Sequence, residues 1–258
     1  MVGVLAWFLL ESTAFAFLFS RFNAPVSRRE ARSLRAVTYL LTPINWNLGT
    51  GAIILHLRAS KGISALAATS SMLFYGLVDG IVLSGLTLLG VQTLPPSPMV
   101  ATITTAAGGF LALQLIGLVL FMMPLPSWRW VAGVRSVGIF RTHTMATWRD
   151  LGVLLLIRGI HFGGFVLFFW AGTRAFAVAV PLTYLAAVVP AILLVGGLPI
   201  TPAGLGTQQA TMLYFFESFG SEAQILAYGF SFPIALILAR IPLGLFYVRD
   251  LALLRGAA

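Results

Sequence analysis

The chain has 258 residues, of which 59% are hydrophobic and 9% are charged, and its mean hydropathy is +0.97. Soluble domains carry about 25% charged residues, so this composition excludes a soluble globular protein and indicates an integral membrane protein. The net charge of +9 comes from arginines in short segments between apolar runs. Because this placement is typical of membrane orientation signals and no nucleic-acid-binding motif is present, we expect no nucleic-acid partner.

Five apolar runs are long enough to cross a hydrocarbon core of about 30 Å, which takes roughly 20 helical residues. They are Val2–Ser20, Ile63–Leu89, Met99–Met123, Leu151–Ala171 and Gln224–Val248. The first run has neither a basic segment before it nor a small-residue cleavage site, so we expect a retained helix and no signal peptide. The composition and these runs predict an all-α integral membrane fold, with a single transmembrane domain over residues 1–258.

Two further apolar stretches, Ala36–Leu57 and Ala177–Phe216, are interrupted by Pro, Gly and polar residues at Thr42–Gly51 and Gly196–Thr207. Such residues are poorly tolerated in a helix interior or on a lipid-facing surface. The arms beside them are about 10 to 19 residues long, which is mostly too short for a full crossing. We therefore predict two re-entrant helical hairpins. The alternative is a pair of full crossings with a loop at the far surface, and both give the same topology.

This threading places most basic residues on one side of the membrane. That side holds 13 of the 16 basic residues: Arg21, Arg28, Arg29, Arg32, Arg35, Arg58, Lys61, Arg129, Arg135, Arg141, Arg149, Arg249 and Arg255. The positive-inside rule then predicts an outer N-terminus and a cytoplasmic C-terminus, in a multi-pass protein of a bacterial or archaeal cell membrane. The basic and aromatic loop Pro124–Asp150 is expected to lie along the inner headgroup surface as an amphipathic segment.

The two interrupted stretches resemble each other. The first contains Thr42-Pro43 and then Gly49-Thr50, and the second contains Thr201-Pro202 and then Gly206-Thr207. Each is followed by an apolar arm and a long spanning helix, which suggests inverted repeats over about 36–89 and 177–248. Repeats of opposite topology with broken helices indicate a transporter whose site lies near the membrane midplane. The alternative is that the two interruptions are Pro/Gly kinks that only allow helices to pack.

Ionisable residues also lie inside the spanning runs. Asp79, Arg158 and Arg240 each cost about 2.5–3.5 kcal/mol at the bilayer centre, so each needs a partner or water. We predict that Asp79 pairs with Arg240 or with Arg158. His161 follows Arg158 by three residues on the same helical face, whereas Glu11 is expected to face a neighbouring helix. The group forms either a polar pathway for an anionic headgroup or a proton, or a structural ion pair that fixes helix register.

Catalytic and cofactor sites are not predicted. The three histidines are scattered without carboxylates at metal-ligand spacing, and the chain has no cysteine. It also lacks a phosphate-binding loop, a dinucleotide fingerprint and a credible nucleophile and base. We therefore expect a protein that is not an enzyme and that takes no metal or cofactor.

The segment Leu198–Ala210 reads LPITPAGLGTQQA. It resembles the Pro-Ile-Thr-Pro-Gly-Gly-Leu-Gly-x-x-Glu-Ala signature of the lysylphosphatidylglycerol synthase transmembrane family, whose members are flippase-like. The resemblance extends from Ala36 to the C-terminus. Pro43–Thr50 stands where the family has Pro-Gly-Arg-x-Gly-Glu, and Asp79 stands where it has a membrane Asp preceded by Glu-Arg.

The sequence departs from the family pattern at its charged positions. The acidic tip residues are replaced by Thr50 and Gln209, the tip arginine by Asn45 or Asn47, and the Glu-Arg pair by residues around Tyr75-Gly76. These neutral tips indicate a different substrate or a loss of transport, and they argue against charge-coupled or proton-coupled movement.

The resemblance implies translocation of a lipid or lipid-linked anionic substrate between leaflets. The residues expected to bind it are Asn45, Asn47, Gly49, Thr50, Asp79, Arg158, His161, Thr201, Pro202, Gly204, Gly206, Thr207, Gln209 and Arg240. Some family members carry an aminoacyltransferase domain, but the chain ends at Ala258, so that activity is not expected. The alternative function is a non-transporting scaffold or accessory subunit of a lipid- or envelope-modifying complex. The partners are then membrane lipids in the first case and a membrane or cytoplasmic protein in the second.

Overall fold

The structure is a computed structural model, and it describes residues 2–41, 46–123, 129–197 and 206–255. Over these residues the chain forms eleven α-helices and one short 3-10 helix, Gly138–Phe140. The helices are α1 (Val2–Phe22), α2 (Arg28–Leu41), α3 (Trp46–Lys61), α4 (Ala65–Val91), α5 (Pro98–Met122), α6 (Arg129–Ser136), α7 (Arg141–Met145), α8 (Trp148–Ala175), α9 (Leu182–Gly197), α10 (Thr207–Phe216) and α11 (Glu222–Arg255). The all-α prediction is confirmed.

Five helices are long and apolar enough to cross a membrane. They are α1, α4, α5, α8 and the Glu222–Val248 part of α11, with 21 to 28 residues each. In the most apolar 18-residue stretch of α5 only 17% is buried inside the protein, and in that of α11 only 11%. Such extensive apolar surface is unfavourable in water and suits a lipid environment. The five predicted spanning runs are therefore confirmed, with ends that differ by a few residues.

The four remaining long helices form two adjacent pairs. Helices α2 and α3 have 14 and 16 residues, and α9 and α10 have 16 and 10. The two helices of each pair pack against each other, and each falls short of the roughly 20 residues that a crossing needs. The tips, residues 42–45 and 198–205, lie outside the described residues, and re-entrance into the membrane stays a prediction.

The first hairpin differs from its predicted boundaries. Its first arm begins at Arg28, not at Ala36, because α2 is amphipathic and its charged residues hid the helical pattern. Its second arm begins at Trp46. Gly49 and Thr50 therefore lie within α3, and the prediction that the interruption extends through them is wrong.

The chain divides into two compact units. Unit 1 comprises Met1–Val78, Ile116–Ile157 and Ile237–Ala258, and unit 2 comprises Asp79–Leu115 and Arg158–Leu236. The first hairpin belongs to unit 1 and the second to unit 2. The predicted inverted repeats, at about 36–89 and 177–248, stay a prediction.

In unit 1, polar contacts join the ends of the helices. Glu30 of α2 is buried and forms an ion pair with Lys61 Nζ of α3 at 3.1 Å, and His56 Nε2 of α3 lies 3.8 Å from its carboxylate. Arg21 Nε donates to Asp150 Oδ1 at 2.8 Å.

Gly62 ends α3 in a left-handed conformation, with φ of +66°, and the Ile63 N–H donates to the Leu57 carbonyl. This is the usual glycine cap of a helix C-terminus.

Arginines of the predicted amphipathic loop bind the C-terminal ends of helices. Arg135 Nε donates to the Leu120 carbonyl of α5 at 2.6 Å, and Arg141 Nη1 donates to the Phe22 carbonyl of α1 at 3.3 Å. The last carbonyls of a helix lack intrahelical partners and carry the negative end of its dipole, so both contacts are favourable. The expected position of this loop at the headgroup surface stays a prediction.

His143 of α7 is buried among aromatic rings. Its ring centroid lies 5.3 Å from that of Phe74, 5.6 Å from that of Phe121 and 5.7 Å from that of Phe140. No described residue offers a hydrogen-bond partner to its Nδ1 atom. Burial without a counter-ion lowers the pKa of His143 to about 4.

We expect His143 to make the folded protein sensitive to acid. Between pH 6.5 and 4 the unfolded chain takes up a proton at this side chain and the folded chain does not. The contribution of neutral His143 to the free energy of unfolding is therefore fully present above pH 6.5. It falls by roughly 3 kcal/mol as the pH approaches 4. In a His143→Phe variant, melting temperatures in detergent should lose this part of the pH dependence, whereas His56→Phe should retain it. Identical pH profiles for wild type and His143→Phe would contradict the account.

Unit 2 has an aromatic and aliphatic core that includes Phe169, Phe216 and Tyr228, all fully buried. Two glycines allow its elements to approach closely. A Cβ at Gly90 of α4 would lie 2.1 Å from the Ala187 carbonyl oxygen of α9, and one at Gly172 of α8 would lie 2.5 Å from the Tyr228 ring. These approaches allow α4 to pack closely on α9, and α8 on α11.

Candidate functional site

A buried ion pair occupies the middle of two spanning helices of unit 2. Arg158 of α8 donates from Nη2 to Asp79 Oδ2 of α4 at 3.1 Å and makes a second bond from Nε to Oδ1. The Arg158 guanidinium lies 4.9 Å from the centroid of the Phe162 ring. The arginine side chain is 4% exposed and the aspartate side chain 26% exposed. Of the two predicted partners for Asp79, the structure therefore supplies Arg158, and the carboxylate is the accessible member of the pair.

His161 lies on α8 one turn after Arg158 and is buried. Its ring centroid is 5.0 Å from that of Phe162 and 5.4 Å from that of Phe165. The Phe162 ring thus contacts both the His161 imidazole and the Arg158 guanidinium. This position agrees with the shared helical face predicted from the spacing of Arg158 and His161.

A row of buried polar groups follows Asp79 along α4, and sequence reasoning missed it. Ser84 and Thr87 are fully buried, and no described residue offers a hydrogen-bond partner to either hydroxyl. The Gln114 Oε1 atom of α5 is also buried, and no described residue offers it a hydrogen bond. Its amide is packed on Gly80, where a Cβ would lie 1.8 Å from Nε2. Since Gly80, Ser84 and Thr87 are spaced i, i+4 and i+7, they share one face of α4.

Other hydroxyls on spanning helices behave differently. Thr102, Thr104 and Thr105 of α5 each donate to the carbonyl four residues earlier, at 2.7 to 3.0 Å. This local bond is the ordinary way for a hydroxyl to satisfy itself in a helix. The i, i+4, i+7 spacing of small and hydroxyl residues in α4 was the sequence signal for the row. It could not be recognised without knowing which face of α4 is buried.

A second buried ion pair lies in unit 1. Glu11, in the middle of α1, accepts from Arg35 Nε at 2.8 Å and from the Tyr39 hydroxyl at 2.6 Å, and Arg35 Nη2 bonds its other oxygen. The expectation that Glu11 faces a neighbouring helix is confirmed. Arg35, which was expected in the segment between two apolar runs, lies within α2. There it neutralises a carboxylate that would otherwise be a costly charge in the middle of α1.

Arg240 also lies in unit 1, in contact with aromatic rings. Its guanidinium is 4.9 Å from the centroid of the Tyr39 ring and 5.8 Å from that of Trp7. Aromatic faces attract a cation and shield it from lipid. Arg240 is thus placed with α1 and α2 of unit 1.

The start of α10 is held by Gln209. Gly206 precedes the helix with φ of +92°, a conformation that favours glycine. Its N–H donates to Gln209 Oε1 at 2.8 Å, and Gln209 Nε2 donates to the Gly229 carbonyl of α11 at 3.0 Å. The buried Gln209 amide therefore caps α10 with its oxygen and links α10 to α11 with its N–H group.

The remaining predicted site residues are only partly covered. Asn45, Thr201, Pro202 and Gly204 lie outside the described residues, and for Asn47 only the backbone is described. Gly49 is buried and Thr50 half-buried within α3, and Thr207 is the first residue of α10. From the predicted set, the structure therefore brings together Asp79 and Arg158, and His161 contacts the same Phe162 ring as Arg158. Within the described ranges no three His, Asp or Glu residues form a group that could hold a metal ion.

A family model described as "Lysylphosphatidylglycerol synthase TM region" matches residues 2–241. The chain belongs to this family. Comparison with curated proteins and with solved structures finds no match. Membership agrees with the resemblance found at Leu198–Ala210 and extends it to α1.

The family signature that Leu198–Ala210 resembles has an acidic residue where this chain has Gln209. A Gln209→Glu variant would place a carboxylate beside the Gly229 carbonyl and remove the donor. We expect it to lose about 1–3 kcal/mol of stability at neutral pH, measured as a lower melting temperature in detergent. Protonation would restore the donor, so its melting temperature should recover as the pH is lowered from 7 to 5, after subtraction of the wild-type profile.

The neighbouring Gln208→Glu variant is the control, because Gln208 is half-buried and makes neither of these bonds. It should show no recovery in acid. A Gln209→Glu variant as stable as wild type at pH 7 would contradict the capping role.

Proposed function

We propose that the chain translocates a lipid or lipid-linked anionic substrate between membrane leaflets through the polar interior of unit 2. One observation carries this proposal: besides the Asp79–Arg158 pair at mid-helix, unit 2 holds buried hydroxyl and amide groups at Ser84, Thr87 and Gln114 to which no described residue offers a hydrogen-bond partner. A headgroup that crosses a bilayer must exchange its water for such groups. Family membership supports the proposal because flippase-like activity is associated with this family.

The ion pair suits transient contact with a phosphate. Arg158 is almost fully buried, and Asp79 leaves one quarter of its surface exposed. A phosphate that approaches from the Asp79 side would compete with the carboxylate for the planar guanidinium, which binds both groups in the same bidentate geometry. The arginine would exchange one anionic partner for another and would never be left as an isolated charge, which would cost several kcal/mol.

The buried hydroxyls of Ser84 and Thr87 lie further along the same helix. From Asp79 to Thr87 the rise along α4 is about 12 Å, a substantial part of the roughly 30 Å hydrocarbon core. Each buried polar group without a partner costs about 1–3 kcal/mol. The retention of these polar groups despite their cost in stability is explained if a lipid headgroup forms hydrogen bonds with them as it crosses the membrane.

A different function, a non-transporting scaffold or accessory subunit, is favoured by the Gln209 contacts. Its amide is used inside the chain to join α10 and α11, as expected if the second hairpin is a fixed structural element. For such a scaffold we expect one stoichiometric membrane or cytoplasmic protein to co-purify and no lipid movement by the chain alone. Neither function gives the chain a chemical step or a cofactor.

Purified protein in liposomes tests the proposal. Fluorescently labelled phosphatidylglycerol and phosphatidylcholine would be followed by quenching in the outer leaflet, with protein-free liposomes as the baseline. We expect movement above baseline with wild type. The Ser84→Ala/Thr87→Val variant should lower the rate about tenfold if each hydroxyl contributes about 0.5–1 kcal/mol to passage.

The control for this variant is Thr102→Val/Thr105→Val, which removes two exposed hydroxyls of the same unit that already bond their own helix. It should move lipid at the wild-type rate. Wild type at the protein-free rate for both lipids would contradict translocation and favour the scaffold.

A further inference from the structure

A cleft in unit 1 is lined by two arginines and lies beside the exposed face of α1. Its volume is about 270 Å³, and it is lined by Leu9, Ser12 and Thr13 of α1 and by Arg28 and Arg32 of α2. The polar row of unit 2 has no part in it. The inference drawn from it therefore does not rest on translocation.

Three arginines stand on one face of α2 with different partners. Arg28, Arg32 and Arg35 are spaced i, i+4 and i+7, so they point along the same side of the helix. Arg35 is neutralised by Glu11 of α1. For Arg28 and Arg32, no carboxylate among the described residues lies within 4 Å of the guanidinium. The arginine face of α2 thus has its counter-ion at one end, and the cleft lies at the other.

The contacts of Arg32 hold its guanidinium in place without neutralising it. Its Nε donates to the Arg28 carbonyl at 3.2 Å, and its Cζ lies 5.7 Å from the centroid of the Tyr247 ring. Arg28 is exposed at the start of α2. Two guanidinia one helical turn apart supply the planar donor sets that recognise phosphate oxygens.

The surroundings of the cleft indicate a lipid as the source of the phosphate. Leu5 and Leu9 are 38% and 40% exposed and lie one turn apart on α1, a helix long and apolar enough to span the membrane. Their exposed surface faces acyl chains. The cleft is smaller than the roughly 300–1,000 Å³ of pockets that enclose a whole ligand, so it accommodates a headgroup whose chains lie along α1.

We infer that this cleft binds the phosphate group of an anionic membrane lipid. The phosphate is the counter-ion of Arg28 and Arg32, as Glu11 is the counter-ion of Arg35. The bound lipid completes the charge pairing between α1 and α2. An anionic lipid therefore stabilises the folded protein more than a zwitterionic one does, since the latter carries its own cation beside the phosphate.

The test compares wild type with an Arg28→Gln/Arg32→Gln variant in detergent supplemented with dioleoylphosphatidylglycerol or dioleoylphosphatidylcholine. Native mass spectrometry measures the retained lipid, and thermal unfolding measures its stabilising effect. Wild type should retain phosphatidylglycerol in preference to phosphatidylcholine and melt at a higher temperature with it. The variant should bind phosphatidylglycerol about tenfold more weakly, the loss expected for one charge-assisted bond or more.

The matched control is Arg58→Gln/Arg149→Gln, which removes the same charge at two exposed positions of unit 1 and should keep the preference. If Arg28→Gln/Arg32→Gln melts at a lower temperature than wild type in phosphatidylcholine alone, the Arg28→Lys/Arg32→Lys variant replaces it. That variant keeps the charge but loses the planar donor sets, so its preference should fall without disappearing.

Three results would overturn the inference. They are equal retention of the two lipids by wild type, an unchanged preference in the variant, and full stabilisation by inorganic phosphate without any preference between the lipids. The last result would identify the ligand as a free anion.

Discussion

Replacing Arg158 by methionine should destabilise the folded protein by about 3–5 kcal/mol, because Asp79 would be left without its counter-ion in the middle of a spanning helix. The two residues are joined by two hydrogen bonds, and the arginine side chain is 4% exposed. The expected result is a large fall in melting temperature in detergent and a loss of monodisperse protein in size-exclusion chromatography.

The double variant Asp79→Leu/Arg158→Met provides the decisive control. Apolar replacement of a whole buried ion pair is often neutral or stabilising, whereas removal of one member is not. We therefore expect the double variant to melt within a few degrees of wild type. Arg174→Met, at the exposed end of the same helix, controls for loss of an arginine as such. A double variant as unstable as Arg158→Met would show that the ion pair is not the cause.

Replacing Glu11 by alanine should have a comparable effect on unit 1. It removes the acceptor of the bonds from Arg35 and Tyr39 and leaves the Arg35 guanidinium buried without its carboxylate. We expect a loss of about 3–5 kcal/mol, against only about 1–2 kcal/mol for Tyr39→Phe, which removes a single hydrogen bond. Thermal unfolding in detergent measures both.

Glu11→Leu/Arg35→Met should recover most of the stability lost in Glu11→Ala. Equal destabilisation by Tyr39→Phe and Glu11→Ala would contradict the dominance of the ion pair. So would a Glu11→Ala variant that melts at the wild-type temperature.

The large-scale fold could be predicted from the sequence because the thickness and apolarity of the bilayer constrain every spanning helix. A spanning helix must be apolar over about 20 residues, and α1, α4, α5, α8 and α11 obey it. The pairing of α2 with α3 and of α9 with α10 followed from Pro and Gly residues between short arms. The start of α2 did not follow, because an amphipathic helix that packs on α1 carries charges which a hydropathy pattern assigns to a loop.

The candidate site could be predicted only in part. A charge inside a spanning helix requires a partner, so Asp79 and Arg158 were identifiable as a possible pair. Their spacing along the chain did not distinguish Arg158 from Arg240, since the choice depends on which helices become neighbours. Ser84 and Thr87 looked ordinary because hydroxyls in helices usually bond their own backbone. Only the tertiary structure revealed that these two do not.

The measurement that tests the central claim most directly is lipid translocation by the Asp79→Leu/Arg158→Met variant in liposomes. This variant is expected to fold like wild type while lacking the charged groups that a headgroup would exchange. If unit 2 carries the headgroup, wild type moves lipid above the protein-free rate and the variant falls to that rate with its melting temperature preserved. Translocation by the folded variant at the wild-type rate would contradict the claim and leave the Asp79–Arg158 pair with a structural role alone.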